Sequence, residues 1–203
     1  MFCVALTFDD GFVEQLKYAR LLYKMNVQGT FFLITGLRKY RGRNLMINEA
    51  RAVRELVDMG HEAGSHAHTH SDLTKLSLNE LEDEFRLSRI IIEELTGEDN
   101  IGIAYPYGPF NRQVIEVASK HFTYGRTMGS FNRWNGEPNR YALGGMGVRH
   151  LVKLPIKLAR SVKLVTVVFH DEPTWIIRLT IDYLRGLNAR FVTMREGLKC
   201  LGF

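Results

Sequence analysis

Short apolar runs alternate along this chain with segments whose apolar residues recur at helical spacing. Residues 4–7, 29–34, 101–105 and 163–169 are the runs most typical of buried strands, and the last has the sequence Lys-Leu-Val-Thr-Val-Val-Phe. Residues 81–95 instead repeat Leu, Phe, Ser, Ile and Leu at intervals of three or four, which predicts a helix with one buried stripe. The chain is therefore expected to consist of strand and helix units in turn.

About seven such units follow one another without an internal repeat, which favours one α/β domain over residues 1–203 with a parallel sheet. Both an open doubly wound sheet and a barrel fit this order. Polar clusters follow several strand ends, as at residues 9–10 and 66–70, and strand ends that converge on one site favour the barrel. Residues 128–150 hold five glycines and no clear period, so we expect an irregular loop over the site.

Composition and charge narrow the class of protein. With 45% hydrophobic and 24% charged residues, the chain is typical of a globular domain. Its net charge of +5 allows an acidic partner or substrate. The densest basic cluster is Arg38, Lys39, Arg41 and Arg43. We interpret it first as a solvated loop, second as a rim for a phosphate or another anionic substrate, and only third as a nucleic-acid patch, so no nucleic-acid partner is predicted.

Cysteine content and hydropathy help to predict the cellular compartment of the protein. Cys3 and Cys200 do not indicate a disulfide scaffold, and Cys3 in its apolar run is interpreted as a small core residue. No stretch reaches the roughly 18 apolar residues that span a bilayer. The first residues lack the basic region of a secretory signal. These features predict a cytoplasmic protein without a membrane span, and the sequence does not specify its oligomeric state.

Two adjacent acids, Asp9 and Asp10, precede a glycine at the end of the first apolar run. Helix capping and the helix dipole would explain one acid there, but not both. Far downstream, His66 and His70 are four residues apart and therefore share one side of a helical turn or compact loop. One carboxylate and two neutral imidazoles suffice to hold a catalytic divalent metal with an open position. The other acid is then available as a base.

Two further strand ends carry candidate catalytic groups. The segment Tyr-Pro-Tyr-Gly-Pro at residues 105–109 is either a simple rigid turn or a support for a backbone N–H at Tyr107 that stabilises an oxyanion. His170 ends the most strand-like run. It is either an ordinary hydrogen-bonded residue or, in a barrel, an acid that points into the same opening as Asp9.

These segments, in this order, resemble the NodB homology domain of polysaccharide deacetylases, carbohydrate esterase family 4. Residues 7–10 (Thr-Phe-Asp-Asp) match its first motif, residues 66–70 its second, residues 105–108 most of its third, and residues 168–170 its fifth. The resemblance spans nearly the whole chain and implies a distorted (β/α)7 barrel.

The resemblance also implies a role for each candidate residue. It assigns a divalent metal, usually Zn²⁺ with Co²⁺, Ni²⁺ or Mn²⁺ as alternatives, to three ligands: Asp10, His66 and His70. It assigns the general base, the general acid and part of the oxyanion hole to three other residues: Asp9, His170 and the Tyr107 N–H. The implied reaction removes an acyl group, most often N-acetyl, from an amino sugar or sugar conjugate.

Three departures from the family pattern stand out. The family's third motif usually has an arginine that holds the catalytic aspartate, whereas the matching position here is Ala104; Arg126 or Arg149 could substitute from another strand. The family's Asp-Trp motif has no clean counterpart, so its role is not assigned to Trp134. Val168 replaces the usual leucine before the final histidine, a mild change to an acetyl-sized pocket.

Two alternative functions stand beside this interpretation. The first is a metal-independent amidase that acts on a non-sugar amide such as a ureide, although the intact ligand set argues against it. The second is a non-catalytic ligand-binding member of the fold, suggested by the missing arginine and the missing Asp-Trp pair.

Overall fold

The computed structural model describes residues 2–129, 139–153 and 162–203. The strands in these ranges are β1 (Phe2–Phe8), β2 (Thr30–Leu33), β3 (Lys39–Tyr40), β4 (Arg43–Asn44), β5 (Glu62–Ser65), β6 (Ile103–Ala104), β7 (Gly125–Met128), β8 (Leu143–Gly147), β9 (Leu164–Phe169) and β10 (Ala189–Val192). The α-helices there are α1 (Leu16–Lys24), α2 (Ala50–Asp58), α3 (Leu78–Thr96), α4 (Arg112–His121), α5 (Thr174–Gly186) and α6 (Met194–Leu201).

Seven parallel strands form a closed barrel. They pair in the order β1, β2, β5, β6, β7, β8, β9, and the ring closes where residues 3–8 of β1 lie beside residues 164–169 of β9. Strand β10 adds an eighth member beside the first half of β1, with Phe2 opposite Ala189. The predicted (β/α)7 barrel is confirmed.

Alternating positions of each strand separate two buried layers. In β1, Val4 and Leu6 belong to the large cluster between strands and outer helices, whereas Ala5 belongs to a small cluster inside the barrel. Helix α6 packs Met194 and Leu198 against that inner cluster. The Met194 N–H also donates to the hydroxyl of Thr30, the first residue of β2, at 2.9 Å. Helix α6 therefore covers the N-terminal end of the barrel, and the C-terminal ends of the strands are left for the site.

A disulfide joins Cys3 of β1 to Cys200 of α6, with Cα atoms 6.5 Å apart. The sequence analysis did not predict this bond, because the two cysteines are 197 positions apart in sequence and come together only when β10 and α6 pack beside β1. Disulfides persist mainly in oxidising compartments, so this bond weighs against the cytoplasmic location, which stays a prediction. In the described part of the chain, no helix combines the length and the apolar character needed to cross a bilayer.

The expectation of an irregular loop over residues 128–150 is wrong at residues 143–147, which form β8. Its glycines misled the prediction. A Cβ atom on Gly145 would lie 2.7 Å from Val168 Cγ2 and 3.2 Å from Arg126 Cδ. Glycine is needed there because the strand passes close to interior side chains, not because the chain turns. Residues 130–138, which include Trp134, lie outside the described residues.

Candidate metal centre and active site

The turn after β1 directs two consecutive carboxylates into one cavity. Asp10 and Gly11 both have positive φ, 76° and 73°. A Cβ atom on Gly11 would lie 2.7 Å from Leu33 Cδ2, so this position requires glycine. The Asp9 N–H donates to the Phe169 carbonyl at 3.1 Å, which ties the turn to the end of β9. Both acids line the same cavity at the C-terminal end of the barrel.

The loop after β5 carries the two histidines and is held by an acid that the sequence analysis missed. Glu84, on the buried face of α3, accepts hydrogen bonds from the backbone N–H groups of His68 and Thr69 at 2.8 and 2.9 Å, and from the Thr69 hydroxyl. His70 has a φ of 60°, which turns it back toward His66. Their ring centres lie 4.8 Å apart. The sequence feature that could have identified Glu84 is its position, as an acid, within the apolar stripe of α3.

The structure brings Asp10, His66 and His70 together as a group that could hold a metal. Asp10 Oδ1 lies 3.8 Å from His66 Nε2 and 3.5 Å from His70 Nε2. Ligand atoms bound to zinc at about 2.0–2.1 Å in a tetrahedron are separated by roughly 3.3 Å, close to these values. His66 Nδ1 donates to the Ala104 carbonyl at 2.8 Å, and the Nε2 lone pair is thereby turned toward Asp10.

The electrostatics of this group fit a cation. Burial lowers the pKa of His66 and lowers that of His70 to about 3, so both imidazoles are neutral and able to ligate. Burial raises the pKa of Asp10, and the nearby Asp9 carboxylate raises it further. A divalent cation at this position would favour the ionised form of Asp10.

Arg126 takes the place of the missing motif arginine. It projects from β7, is 1% exposed, and its Nη2 donates to Asp9 Oδ1. Strand register places Arg126 directly opposite Ala104, the position where the family usually has its arginine. Arg149, the other candidate, is exposed. The guanidinium therefore reaches the same aspartate from the neighbouring strand.

Asp9 is a buried carboxylate that stays ionised. Burial alone would raise the pKa of Asp9, but the charge of Arg126 opposes this effect, and the pKa lies below its ordinary value of 3.8. Its Oδ2 lies 4.0 Å from His66 Nε2. Asp9 is thus beside the ligand set and is paired with Arg126, an arrangement suited to a base.

His170 faces Asp9 across the opening of the cavity. Its Nε2 lies 3.6 Å from Asp9 Oδ2, and half of its side chain is exposed. Gln15, which the sequence analysis missed, donates from Nε2 to the backbone carbonyls of Asp9 at 2.7 Å and His170 at 3.0 Å. This amide fixes the ends of β1 and β9 relative to each other. Asp171 is turned away and pairs with Arg43.

The turn after β6 presents the Tyr107 backbone. The Gly108 N–H donates to the Tyr105 carbonyl at 3.0 Å, with Pro106 and Tyr107 at the centre of the turn. The φ of 62° at Tyr107 matches the third position of a type II turn. The Thr127 hydroxyl donates to the Gly108 carbonyl and anchors the turn to β7. Among the described residues, no acceptor faces the Tyr107 N–H, which leaves it available to a substrate oxygen.

Tyr40 is a further residue that the sequence analysis missed. The ring of His70 lies between Tyr40 and Tyr107, with centre-to-centre distances of 4.6 and 4.8 Å. Burial and a hydrogen bond with Tyr107 raise the pKa of Tyr40 to about 12, so its phenol stays neutral. The two tyrosines limit the orientations open to the His70 ring.

The candidate metal-binding and catalytic residues line one cavity of about 210 Å³. Drug-sized ligands occupy pockets of about 300–1,000 Å³, so this cavity fits one end of a substrate rather than a whole sugar chain. The lining includes all six predicted site residues and six others: Tyr40, Arg41, Tyr105, Gly108, Arg126 and Met128.

Comparison with known proteins identifies the family. The polysaccharide deacetylase profile matches residues 2–124. The chain belongs to the polysaccharide deacetylase family. It is 32% identical to a bifunctional xylanase/deacetylase of Pseudobutyrivibrio xylanivorans over 123 residues. This aligned segment covers 60% of this chain and 19% of that protein. It is 34% identical to the peptidoglycan-N-acetylglucosamine deacetylase PgdA of Listeria monocytogenes over 115 residues. That aligned segment covers 56% of this chain and 23% of PgdA.

The match to these polysaccharide deacetylases covers about a fifth of their length. Among solved structures, a CE4 family pseudoenzyme from Bacillus anthracis has the same fold, with a TM-score of 0.70, 20% identity, and coverage of 97% of this chain and 65% of that one. The profile ends at residue 124, so Arg126 and His170 lie beyond the matched segment. Their place in the site comes from the barrel geometry.

Proposed function

We propose that this protein removes the N-acetyl group of an amino sugar by metal-assisted hydrolysis. The observation that carries the proposal is the pairing, in one cavity, of a three-residue ligand set with Asp9, a buried carboxylate that is not part of it. Membership of a deacetylase family supports the reaction type. Two relatives are named as a xylanase/deacetylase and a peptidoglycan-N-acetylglucosamine deacetylase, and these names support a carbohydrate substrate.

Asp10, His66 and His70 would hold the cation, and zinc suits this mixed oxygen and nitrogen set best. Co²⁺, Ni²⁺ and Mn²⁺ are the alternatives. When bound, the cation would polarise the acetyl carbonyl and lower the pKa of a water toward about 7.

The remaining residues each move or hold a proton. Asp9, kept ionised by Arg126, accepts a proton from the attacking water as the water oxygen bonds to the carbonyl carbon. The Tyr107 N–H donates to the resulting oxyanion. His170 then donates a proton to the nitrogen as the C–N bond breaks. Acetate and a free amine leave the site.

Acetate release from N-acetylglucosamine oligomers, with zinc content measured alongside, tests the proposal. We expect Asp9→Asn to keep its zinc and lose about 10²–10⁴-fold in kcat, the range for a general base. We expect His66→Ala to lose both zinc and turnover. His121→Gln serves as the matched histidine control, because His121 lies on α4 and pairs with Glu82 away from the cavity.

Three results would contradict the proposal. Full activity of Asp9→Asn would refute the base assignment. Activity that survives complete removal of metal by a chelator would favour the metal-independent amidase. Tight binding of the sugars to the zinc-loaded protein without any acetate release would favour a non-catalytic binding protein.

A further inference from the structure

A tight hairpin presents one arginine to the cavity from outside the barrel. Strands β3 and β4 pair through Tyr40 and Arg43, which leaves Arg41 and Gly42 as a two-residue turn with φ of 49° and 77°. Positive φ at both positions is the signature of a type I′ turn, which favours Asn, Asp or Gly. Arginine at the first position is therefore not explained by the turn.

The Arg41 side chain reaches the mouth of the cavity. It is one of the lining residues, and its guanidinium carbon lies 5.2 Å from the centre of the Tyr40 ring. The same Tyr40 ring packs on His70, a candidate metal ligand. A short hairpin and an aromatic surface thus hold the arginine close to the position where a substrate would enter.

Arg41 has no carboxylate partner among the described residues, in contrast to its neighbour Arg43. Arg43 is neutralised by Asp171 and Glu14, and its guanidinium packs on the ring of Phe12 at 3.7 Å. Arg43 therefore supports the hairpin. Arg41 is exposed and keeps its positive charge directed at the opening.

The charges inside the cavity leave Arg41 without a counter-ion there as well. Asp9 is neutralised by Arg126, and Asp10 belongs to the ligand set. Arg41 lines the same cavity as Asp10 and His70. A bound divalent cation would add to the positive charge, and like charges at short range repel each other. An anionic group at the mouth would relieve that repulsion.

We infer that Arg41 binds an oxyanion group, a carboxylate or a phosphate, carried by the substrate next to its N-acetyl group. The inference rests on the proposed function and narrows it to acidic amino sugars. The cavity of about 210 Å³ takes the acetamido end, so the rest of the sugar lies at the mouth beside Arg41 and Tyr107, which is 60% exposed.

The test compares three sugars that differ in charge: neutral N-acetylglucosamine, N-acetylmuramic acid with a carboxylate, and N-acetylglucosamine 6-phosphate. Arg41→Gln should lower kcat/KM on the preferred acidic sugar about 10- to 100-fold, as for a hydrogen bond to a charged group, mainly through KM. It should change the neutral sugar less than about twofold. The two acidic sugars distinguish carboxylate from phosphate recognition. Arg41→Lys should retain part of the preference.

Arg38→Gln is the matched control, because Arg38 belongs to the same basic loop but does not line the cavity. An equal loss in Arg38→Gln would mean that the general charge of the loop, not Arg41, attracts the substrate. An equal loss of kcat on neutral and acidic sugars in Arg41→Gln would mean that Arg41 acts on the reacting atoms. No loss of kcat/KM in Arg41→Gln would mean that the Arg41 side chain is solvated and does not bind the substrate. Each of these outcomes overturns the inference.

Equilibrium binding separates this inference from the proposed reaction. Calorimetric titration of the zinc-loaded protein with each sugar needs no turnover. We expect tighter binding of an acidic sugar than of the neutral one, and loss of that difference in Arg41→Gln and at high salt. If no sugar yields acetate but this difference is seen, the proposed reaction fails and the anion site stands. Equal affinity for all three sugars overturns the anion site whatever the turnover.

Discussion

Replacing Arg126 by methionine removes the cation that faces Asp9 while keeping an unbranched side chain in the barrel. The two side chains are 1% and 4% exposed, so neither charge is solvated. Removing one partner of a buried ion pair costs about 3–5 kcal/mol. Part of that cost is avoided if Asp9 takes up a proton. Because the Arg126 charge is what opposes the effect of burial, we expect the pKa of Asp9 to rise when Arg126 is removed.

The sign of the pH effect follows from that shift. In the native protein the pKa of Asp9 lies below 3.8, so the base is ionised throughout the neutral range. In Arg126→Met, ionised Asp9 is lost as pH falls through a higher pKa, and the acid limb of kcat/KM moves to higher pH. The same substitution removes the stability that a depressed carboxyl pKa provides above pH 3.8.

The assay is the pH profile of acetate release, measured on protein with equal zinc content. Arg126→Lys keeps a charge and should shift the acid limb less. Arg89→Met is the control, because it removes an arginine from an ion pair with Glu93 on α3, away from the cavity. An acid limb that stays in place, with kcat unchanged, would falsify the role of Arg126. The double variant Ala104→Arg/Arg126→Met moves the guanidinium to the facing strand position and should recover part of the rate.

Three further predictions concern the loop after β5, the disulfide and the bound metal ion. Glu84→Gln should weaken zinc binding about 10- to 100-fold in a competition titration, because an amide cannot accept all three hydrogen bonds; unchanged affinity would contradict the loop argument. Cys3→Ser/Cys200→Ser should lower the unfolding free energy in denaturant by up to about 5 kcal/mol, since the bond closes a loop across 197 residues; an unchanged midpoint would contradict this. Zinc should raise Tm in the native protein and not in His66→Ala, and equal shifts would place the ion elsewhere.

The fold and much of the candidate site could be predicted because their signals are local. The apolar run of β1 and the acids after it are contiguous, so Asp9 and Asp10 were recognisable as a pair at a strand end. His66 and His70 are close in sequence. The structure brings these four residues, with Tyr107 and His170, to one cavity, as the sequence analysis expected, although their catalytic roles stay predictions.

What escaped prediction depends on contacts between distant elements. Arg126 and Arg149 were equivalent in the sequence, and only the register of β6 with β7 selects Arg126. Glu84 looked like one more acid on a helix until the loop after β5 packed on it. The glycines of β8 suggested a loop, because their role depends on the neighbouring Arg126 and Val168 side chains.

The bond between Cys3 and Cys200 makes residues 3–200 one covalent ring. A protease that cuts any single peptide bond between these positions would open the ring without releasing a fragment. Such nicked molecules would migrate as one band on a non-reducing gel and as two after a reductant is added. Limited proteolysis read on both gels would thus reveal which connections between strands are exposed to cleavage while the barrel stays in one piece.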